Sequence, residues 1–115
     1  MEEYETRRNA MAKYLIQASY TLDGIKGVKA HGGSARREAV EQALKSVGGT
    51  VESFYFAFGD SDVYVIADVP GNVDAAAMSL ATSAAGGAQT KTVVLLTAEE
   101  MDEAARKQVG YTPPS

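Results

Sequence analysis

Two dense β-forming segments in the middle of the chain constrain its fold most. TVESFYFAF occupies residues 50–58 and DVYVIADV occupies residues 62–69, with only three residues, one of them Gly59, between them. Aromatic and β-branched side chains favour extended backbone, and a short connection containing glycine favours antiparallel pairing. The sequence therefore predicts a β-hairpin here.

Segments with the patterns of strands and helices flank this hairpin on both sides. Residues 13–20 and 88–97 have the composition of strands, whereas 34–47 and 73–86 carry apolar residues at helical spacing. The capping-box pair Thr97 and Glu100 predicts a further helix near the C-terminus.

The predicted helix boundaries depend on a few local signals. Ser34 and Asn72 are of the type that caps a helix N-terminus, and the Gly48–Gly49 pair is typical of a helix stop. Before Ser34, a glycine-rich stretch predicts only a short helical turn over residues 23–29. In the Ala-rich helix, we expect one narrow apolar face to pack closely on the sheet; it comprises Val73, Ala76, Ala77, Leu80 and Ala84.

The order strand, helix, strand, strand, helix, strand predicts an α+β fold of the ferredoxin-like βαββαβ type. Such a fold has a four-stranded antiparallel sheet with two helices on one face, and this chain adds a C-terminal helix. Because 115 residues leave room for one domain, we place it at residues 12–108. Residues 1–11 and 109–115 are expected to be a flexible extension and a flexible tail.

The sheet is predicted to be apolar on both faces, although helices cover only one. Alternation along the strands assigns six apolar residues to the open face: Phe54, Phe56, Tyr64, Ile66, Val93 and Leu95. An uncovered patch of this kind is larger than a monomer usually exposes. We therefore expect a homodimer through the open sheet face, which forms a dimeric α+β barrel. A misassigned face, or the C-terminal helix folded over the open side, is the alternative.

Composition excludes several classes of function. The chain has no Cys and one His, which removes disulfides, thiolate chemistry and single-chain multi-His metal sites, so we expect no metal and no cofactor. Its net charge of −4 disfavours nucleic acid and anionic membranes as partners. No apolar run approaches the roughly 20 residues that span a bilayer, and no signal peptide is evident, so the cytoplasm is the expected location.

Five polar residues are candidates for contact with a small ligand: Tyr20, His31, Arg36, Tyr55 and Asp62. Each has a simpler interpretation. His31 in its glycine loop is typical of a solvated side chain, and Asp62 is typical of a turn residue that accepts backbone N–H groups. Arg36 and its neighbour Arg37 suit a carboxylate, but nearby Glu38 and Glu41 favour an exposed, salt-linked helix face. Strand tyrosines most often belong to the core.

The order of these blocks resembles the GYD-domain family over about residues 12–104. The markers that carry the resemblance are Thr21, Gly24, Arg36 or Arg37, Gly48, Gly49, Phe54, Tyr55, Gly59, Asp62 and the segment from Thr97 to Glu100. Where the family's name motif places a tyrosine between its glycine and aspartate, this chain has Ser61. The resemblance implies the dimeric α+β barrel superfamily, which includes cofactor-independent monooxygenases, isomerases and heme enzymes; it implies no particular reaction.

Three functional hypotheses follow from the sequence. The first is a small homodimeric protein that binds an organic ligand or metabolite. The second is a cofactor-independent monooxygenase or isomerase, in which Tyr20, Tyr55 or His31 acts as acid or base on an aromatic or enolisable substrate. The third is a structural interaction module. Whether the chain is an enzyme stays open at this point.

Overall fold

The computed structural model describes residues 11–114, so nearly all of the expected N-terminal extension, residues 1–11, lies outside the described residues. The strands are β1 (Ala12–Tyr20), β2 (Thr50–Phe56), β3 (Val63–Val69) and β4 (Ala88–Leu95). The helices are α1 (Leu22–His31), α2 (Gly33–Ser46), α3 (Asn72–Ala85) and α4 (Ala98–Arg106). Across the described residues, none of these helices combines the length and apolarity needed to cross a bilayer.

The four strands form one antiparallel sheet in the order β2-β3-β1-β4. In this order β3 and β1 lie at the centre, and each βαβ unit is split by a strand of the other, as in the ferredoxin-like fold. The predicted α+β class is confirmed. The core lies between the sheet and the helices α2 and α3, with Tyr14, Leu44 and Val69 as its largest fully buried side chains.

A β-bulge in β2 reverses the face that its aromatic side chains occupy. The register shifts between Val51 and Ser53, and beyond the shift Phe54 lies opposite Val65, and Phe56 opposite Val63. Residues directly opposite each other share a face, and Val63 and Val65 are buried beneath the helices. The prediction that Phe54 and Phe56 lie on the open face was therefore wrong, because the extra residue of a bulge inverts the alternation that follows it.

The glycine-rich stretch after β1 forms a complete helix rather than a short turn. Thr21 caps α1 by accepting a hydrogen bond from the Gly24 N–H. Gly32, with φ +86°, separates α1 from α2 and occupies the cap position of α2, so Ser34 lies inside the helix and not at its cap. The predicted stop of α2 at Gly48 is confirmed, with φ +82°.

The helix α3 packs on the sheet through the face opposite to the predicted one. Ala75 is buried, whereas Val73 and Leu80 of the predicted face are 82% and 71% exposed. The inward face carries the hydroxyls of Ser79 and Thr82. Both hydroxyls have hydrogen-bond partners there: the Ser79 and Thr90 hydroxyls bond to each other at 2.8 Å, and the Thr82 hydroxyl donates to the Met78 carbonyl. Polar groups can be buried when they are paired in this way.

The ends of α3 and α4 show which of the predicted caps form. Gly71, not Asn72, is the cap residue of α3, and Asn72 accepts a 2.6 Å hydrogen bond from the Tyr14 hydroxyl. At α4 the predicted capping box of Thr97 and Glu100 is confirmed. All nine residues of α4 are exposed, so this helix does not cover the open sheet face.

Candidate functional site

A groove of about 330 Å³ runs between α1 and α2. Most of the residues that line it are glycine or alanine, and longer side chains at these positions would fill the space between the two helices. The small residues are Gly24, Gly27, Gly32, Ala35 and Ala39, together with Gly87 from the turn before β4. Larger groups enter from Tyr20, Val28, His31 and Arg36, and Asp23 also lines the groove.

The backbone at one end of the groove is held by a tight contact between α1 and the turn from α3 to β4. A Cβ atom on Gly24 would lie 1.9 Å from the Gly87 carbonyl oxygen, so only glycine fits there. Thr21 joins the same two segments, because its N–H donates to the Gly87 carbonyl at 3.0 Å and its hydroxyl to the Gly86 carbonyl at 2.8 Å. These bonds hold the N-terminal end of α1 against the start of β4.

Tyr20 and Arg36 form the inner wall of the groove. The Arg36 guanidinium carbon lies 5.8 Å from the centre of the Tyr20 ring, within the range of a cation–π contact. Both residues also line a small interior cavity of about 40 Å³ between the helices and the sheet, beside Met78 and Thr90. The pair therefore stands between the open groove and the interior of the domain.

Arg36 is only partly exposed, and its Nε atom is buried without a hydrogen-bond partner among the described residues. Within residues 11–114, Lys13 alone forms ion pairs, so the salt-linked face predicted for Arg36 and Arg37 with Glu38 and Glu41 is not present. Arg36 packs over Tyr20 instead. Buried donors in folded proteins almost always have an acceptor, which makes the Arg36 Nε atom unusual.

The position and ionisation of Tyr20 are set by its neighbours. The Asp62 carboxylate accepts a 2.8 Å hydrogen bond from the Tyr20 backbone N–H, and the Asp62 N–H donates to the Ala18 carbonyl. Asp62 thus has the predicted role of accepting a backbone N–H. Burial raises the pKa of the Tyr20 phenol; the Arg36 cation opposes this rise and the Asp62 charge adds to it. Tyr20 is accordingly a protonated hydrogen-bond donor at neutral pH.

The structure brings together three of the five predicted ligand residues. Tyr20, His31 and Arg36 line one groove, with His31 as the exposed last residue of α1. Asp62 contacts the backbone of Tyr20 instead of lining the groove, and Tyr55 lies on the opposite sheet face, 71% exposed. Sequence reasoning missed the small residues of the walls. Their spacing, with Gly24 three residues before Gly27 and Ala35 four before Ala39, is the signal that could have indicated them.

The sheet face away from α1, α2 and α3 is the second candidate surface. Leu15 lies at its centre, opposite Ile66 on one side and Val93 on the other. Four of the six residues predicted for a dimer interface lie on this face, namely Tyr64, Ile66, Val93 and Leu95, and the register adds Leu15 and Tyr55. We call these six residues the open-face patch.

A charged cluster borders the open-face patch. Lys13 donates to Asp68 at 2.8 Å and also pairs with Glu52 in the bulge of β2. The hydrogen bonds to Asp68 and then to Glu52 raise the pKa of the Lys13 ammonium group. The charges at this edge are paired, so they do not oppose apolar contact across the neighbouring patch.

Together these features define a ferredoxin-like α+β domain that has a groove in its helical layer and an uncovered sheet face. The GYD domain matches the chain over residues 14–105, which is most of its length. The chain belongs to the GYD-domain family, as the resemblance in its sequence implied. No curated protein and no solved structure matches it.

Proposed function

We propose that this GYD-domain protein is a homodimer that binds a small organic molecule in the groove between α1 and α2. The observation that carries the proposal is the groove itself, about 330 Å³ in volume and walled by glycine and alanine beside Tyr20 and Arg36. Ligand sites are concave and mainly apolar, with a few polar groups that orient the ligand, and commonly measure roughly 300–1,000 Å³. The groove falls at the small end of that range, which suits a compact ligand.

The open-face patch supports the dimer. Leu15, Ile66 and Val93 form a continuous apolar row across the three strands β3, β1 and β4. A sheet face packed against its own copy about a two-fold axis is self-complementary and buries such a row. Burial of apolar area stabilises by about 25 cal/mol/Å², so covering the patch with a second copy favours association of the two chains. The groove lies on the other side of the sheet and stays accessible in this arrangement.

A groove-filling variant tests ligand binding. A Cβ on Gly27 meets no atom within 4 Å, so Gly27→Leu is expected to fold and to occupy the groove. Ala30→Leu is the matched control, because Ala30 is an exposed residue of the same helix. Thermal unfolding is followed with a panel of small metabolites. We expect at least one to raise the Tm of the wild type and the control but not that of Gly27→Leu.

Two results would count against the proposal. If no compound in the panel stabilises the wild type, ligand binding is refuted. If a compound stabilises Gly27→Leu as much as the control, the protein binds ligands elsewhere than in this groove.

A second proposal is an isomerase that needs no cofactor, and it is favoured by one observation. Tyr20 and His31, a protonated phenol and an imidazole, line the same groove. A donor and a base on one enolisable ligand exchange the hydrogen at its α-carbon. Proton NMR in D₂O with a groove-binding ketone or ketoacid tests the isomerase proposal. Loss of the α-proton signal with wild type but not with Tyr20→Phe supports the proposal. An α-proton signal that wild type leaves unchanged opposes it.

A further inference from the structure

We propose that the ligand of the groove is an organic carboxylate whose acid group binds Arg36. This inference rests on the proposed function, since it names the chemical class that the groove accepts. It is carried by the side chain of Arg36, which lines the groove, the interior cavity and a second groove of about 260 Å³ between α2 and α3.

The Nε atom of Arg36 is a buried hydrogen-bond donor. This donor is shielded from solvent and has no acceptor among the described residues. Leaving a buried donor unpaired costs free energy, and more so for a charged group. An acid and an amide both carry an acceptor oxygen, but a carboxylate also pairs with the charge of the guanidinium, so it recovers more of this cost than a neutral amide does. The site therefore favours ligands whose acceptor group is negatively charged.

The charges that line the groove favour a ligand with a single negative charge. Its lining includes the cation of Arg36, the carboxylate of Asp23 and the single imidazole of His31. One guanidinium fits one carboxylate in a planar, two-pronged hydrogen bond. A phosphate monoester carries nearly two charges and needs more cations than this groove offers, because Asp23 already balances part of the positive charge. A monoanionic carboxylate is favoured over a phosphate.

A second donor and largely apolar walls adjoin Arg36 in the groove. The Tyr20 phenol lies beside the guanidinium and stays protonated, so it is a second donor for the same anion. Apart from Asp23 and His31, the rest of the lining is small or apolar and includes Gly27, Val28 and Ala35. Such walls accept a short aliphatic chain or one aromatic ring.

Matched pairs of acids and amides test the proposal. Isothermal titration compares benzoate with benzamide, phenylacetate with phenylacetamide, and hexanoate with hexanamide, each pair sharing one carbon skeleton. We expect at least one acid to bind wild type at least ten-fold more tightly than its amide. Arg36→Met removes that preference, Arg36→Lys retains part of it, and the adjacent exposed Arg37→Met retains all of it.

The outcomes separate this inference from the proposed function. If acids and amides bind wild type equally well, or if Arg36→Met keeps the preference, the carboxylate assignment is overturned while ligand binding stands. If neither member of any pair binds, the carboxylate assignment is overturned; if the metabolite panel also gives no stabilisation, the proposed function is overturned with it. Circular dichroism checks that Arg36→Met is folded; should it not be, Arg36→Lys and the wild-type pairs decide the question.

Discussion

Gly24 and Gly87 lie so close together that a methyl group on Gly24 would overlap the Gly87 carbonyl oxygen, at 1.9 Å. A methyl group on Gly27, one turn further along α1, would have no atom within 4 Å of it. The two glycines of one helix therefore have different roles: Gly24 permits a close backbone contact, and Gly27 leaves the groove open.

Substitution of these glycines by alanine is expected to change stability in opposite directions. Gly24→Ala must displace α1 or the turn before β4, which costs about 1–3 kcal/mol as overpacking does. Gly27→Ala removes a flexible residue from a helix and stabilises by about 0.5–1 kcal/mol. Urea denaturation of both variants measures the difference, and a destabilised Gly27→Ala or an unaffected Gly24→Ala would contradict the described packing.

The open-face patch is expected to control assembly. Ile66→Glu places a charge in the patch beside Leu15 and should convert the proposed dimer to a monomer, because a buried unpaired carboxylate is costly. Val73→Glu is the control, since Val73 is an apolar residue that is 82% exposed on the outer face of α3. Sedimentation equilibrium gives the masses. A monomeric wild type, or a dimer lost in Val73→Glu and kept in Ile66→Glu, refutes the assignment of the interface.

Phe54 is expected to affect folding more than assembly. Its ring contacts the core on the helix side and meets Phe56 edge to face, with ring centres 5.3 Å apart. Phe54→Ala should destabilise the fold by about 2–4 kcal/mol. This is slightly less than the loss of a fully buried phenylalanine costs, because the ring is half-buried. Tyr55→Ala, next to it on the exposed face, is the control and should leave the unfolding free energy nearly unchanged in the monomeric Ile66→Glu background. The reverse order of effects would show that β2 has no bulge.

Tyr20 is expected to ionise above the ordinary tyrosine pKa of 10.0. Because its folded pKa is raised, the folded chain keeps the phenol proton over a range in which the unfolded chain loses it, so stability falls as the pH rises above 10.0. The difference in phenolate absorbance between wild type and Tyr20→Phe reports this titration. Arg36→Met should raise the pKa of Tyr20 further, because the cation that lowers it is gone. A midpoint at or below the ordinary value would contradict the burial of this phenol.

The order of the elements follows from the sequence because each strand and each main helix carries its own periodic pattern. The faces follow less well. Alternation along β2 fails beyond the bulge at Val51 and Ser53, since a bulge leaves no clear mark in the pattern of apolar residues. The inward face of α3 was also missed, because Ser79 and Thr82 are polar by type but have their hydroxyls satisfied by Thr90 and Met78.

The candidate site was predicted in part. Tyr20, His31 and Arg36 are polar residues near the ends of elements, and such residues are recognisable in a sequence as candidates for ligand contact. The groove is open because Gly27 has no side chain and Ala35 has only a methyl group. It also depends on the close approach of Gly24 and Gly87, which are far apart in sequence. Neither feature has a sequence signal as strong as that of a charged or aromatic side chain.

Chemical-shift mapping shows whether a carboxylate ligand binds in the groove between α1 and α2. The protein labelled with ¹⁵N is titrated with the acid that binds most tightly among benzoate, phenylacetate and hexanoate, and the backbone amide shifts are followed. We expect the largest changes in α1, the first turns of α2 and Gly87, with the open-face patch unchanged. Changes confined to the open-face patch, or spread over the surface without a maximum near Arg36, would contradict this expectation.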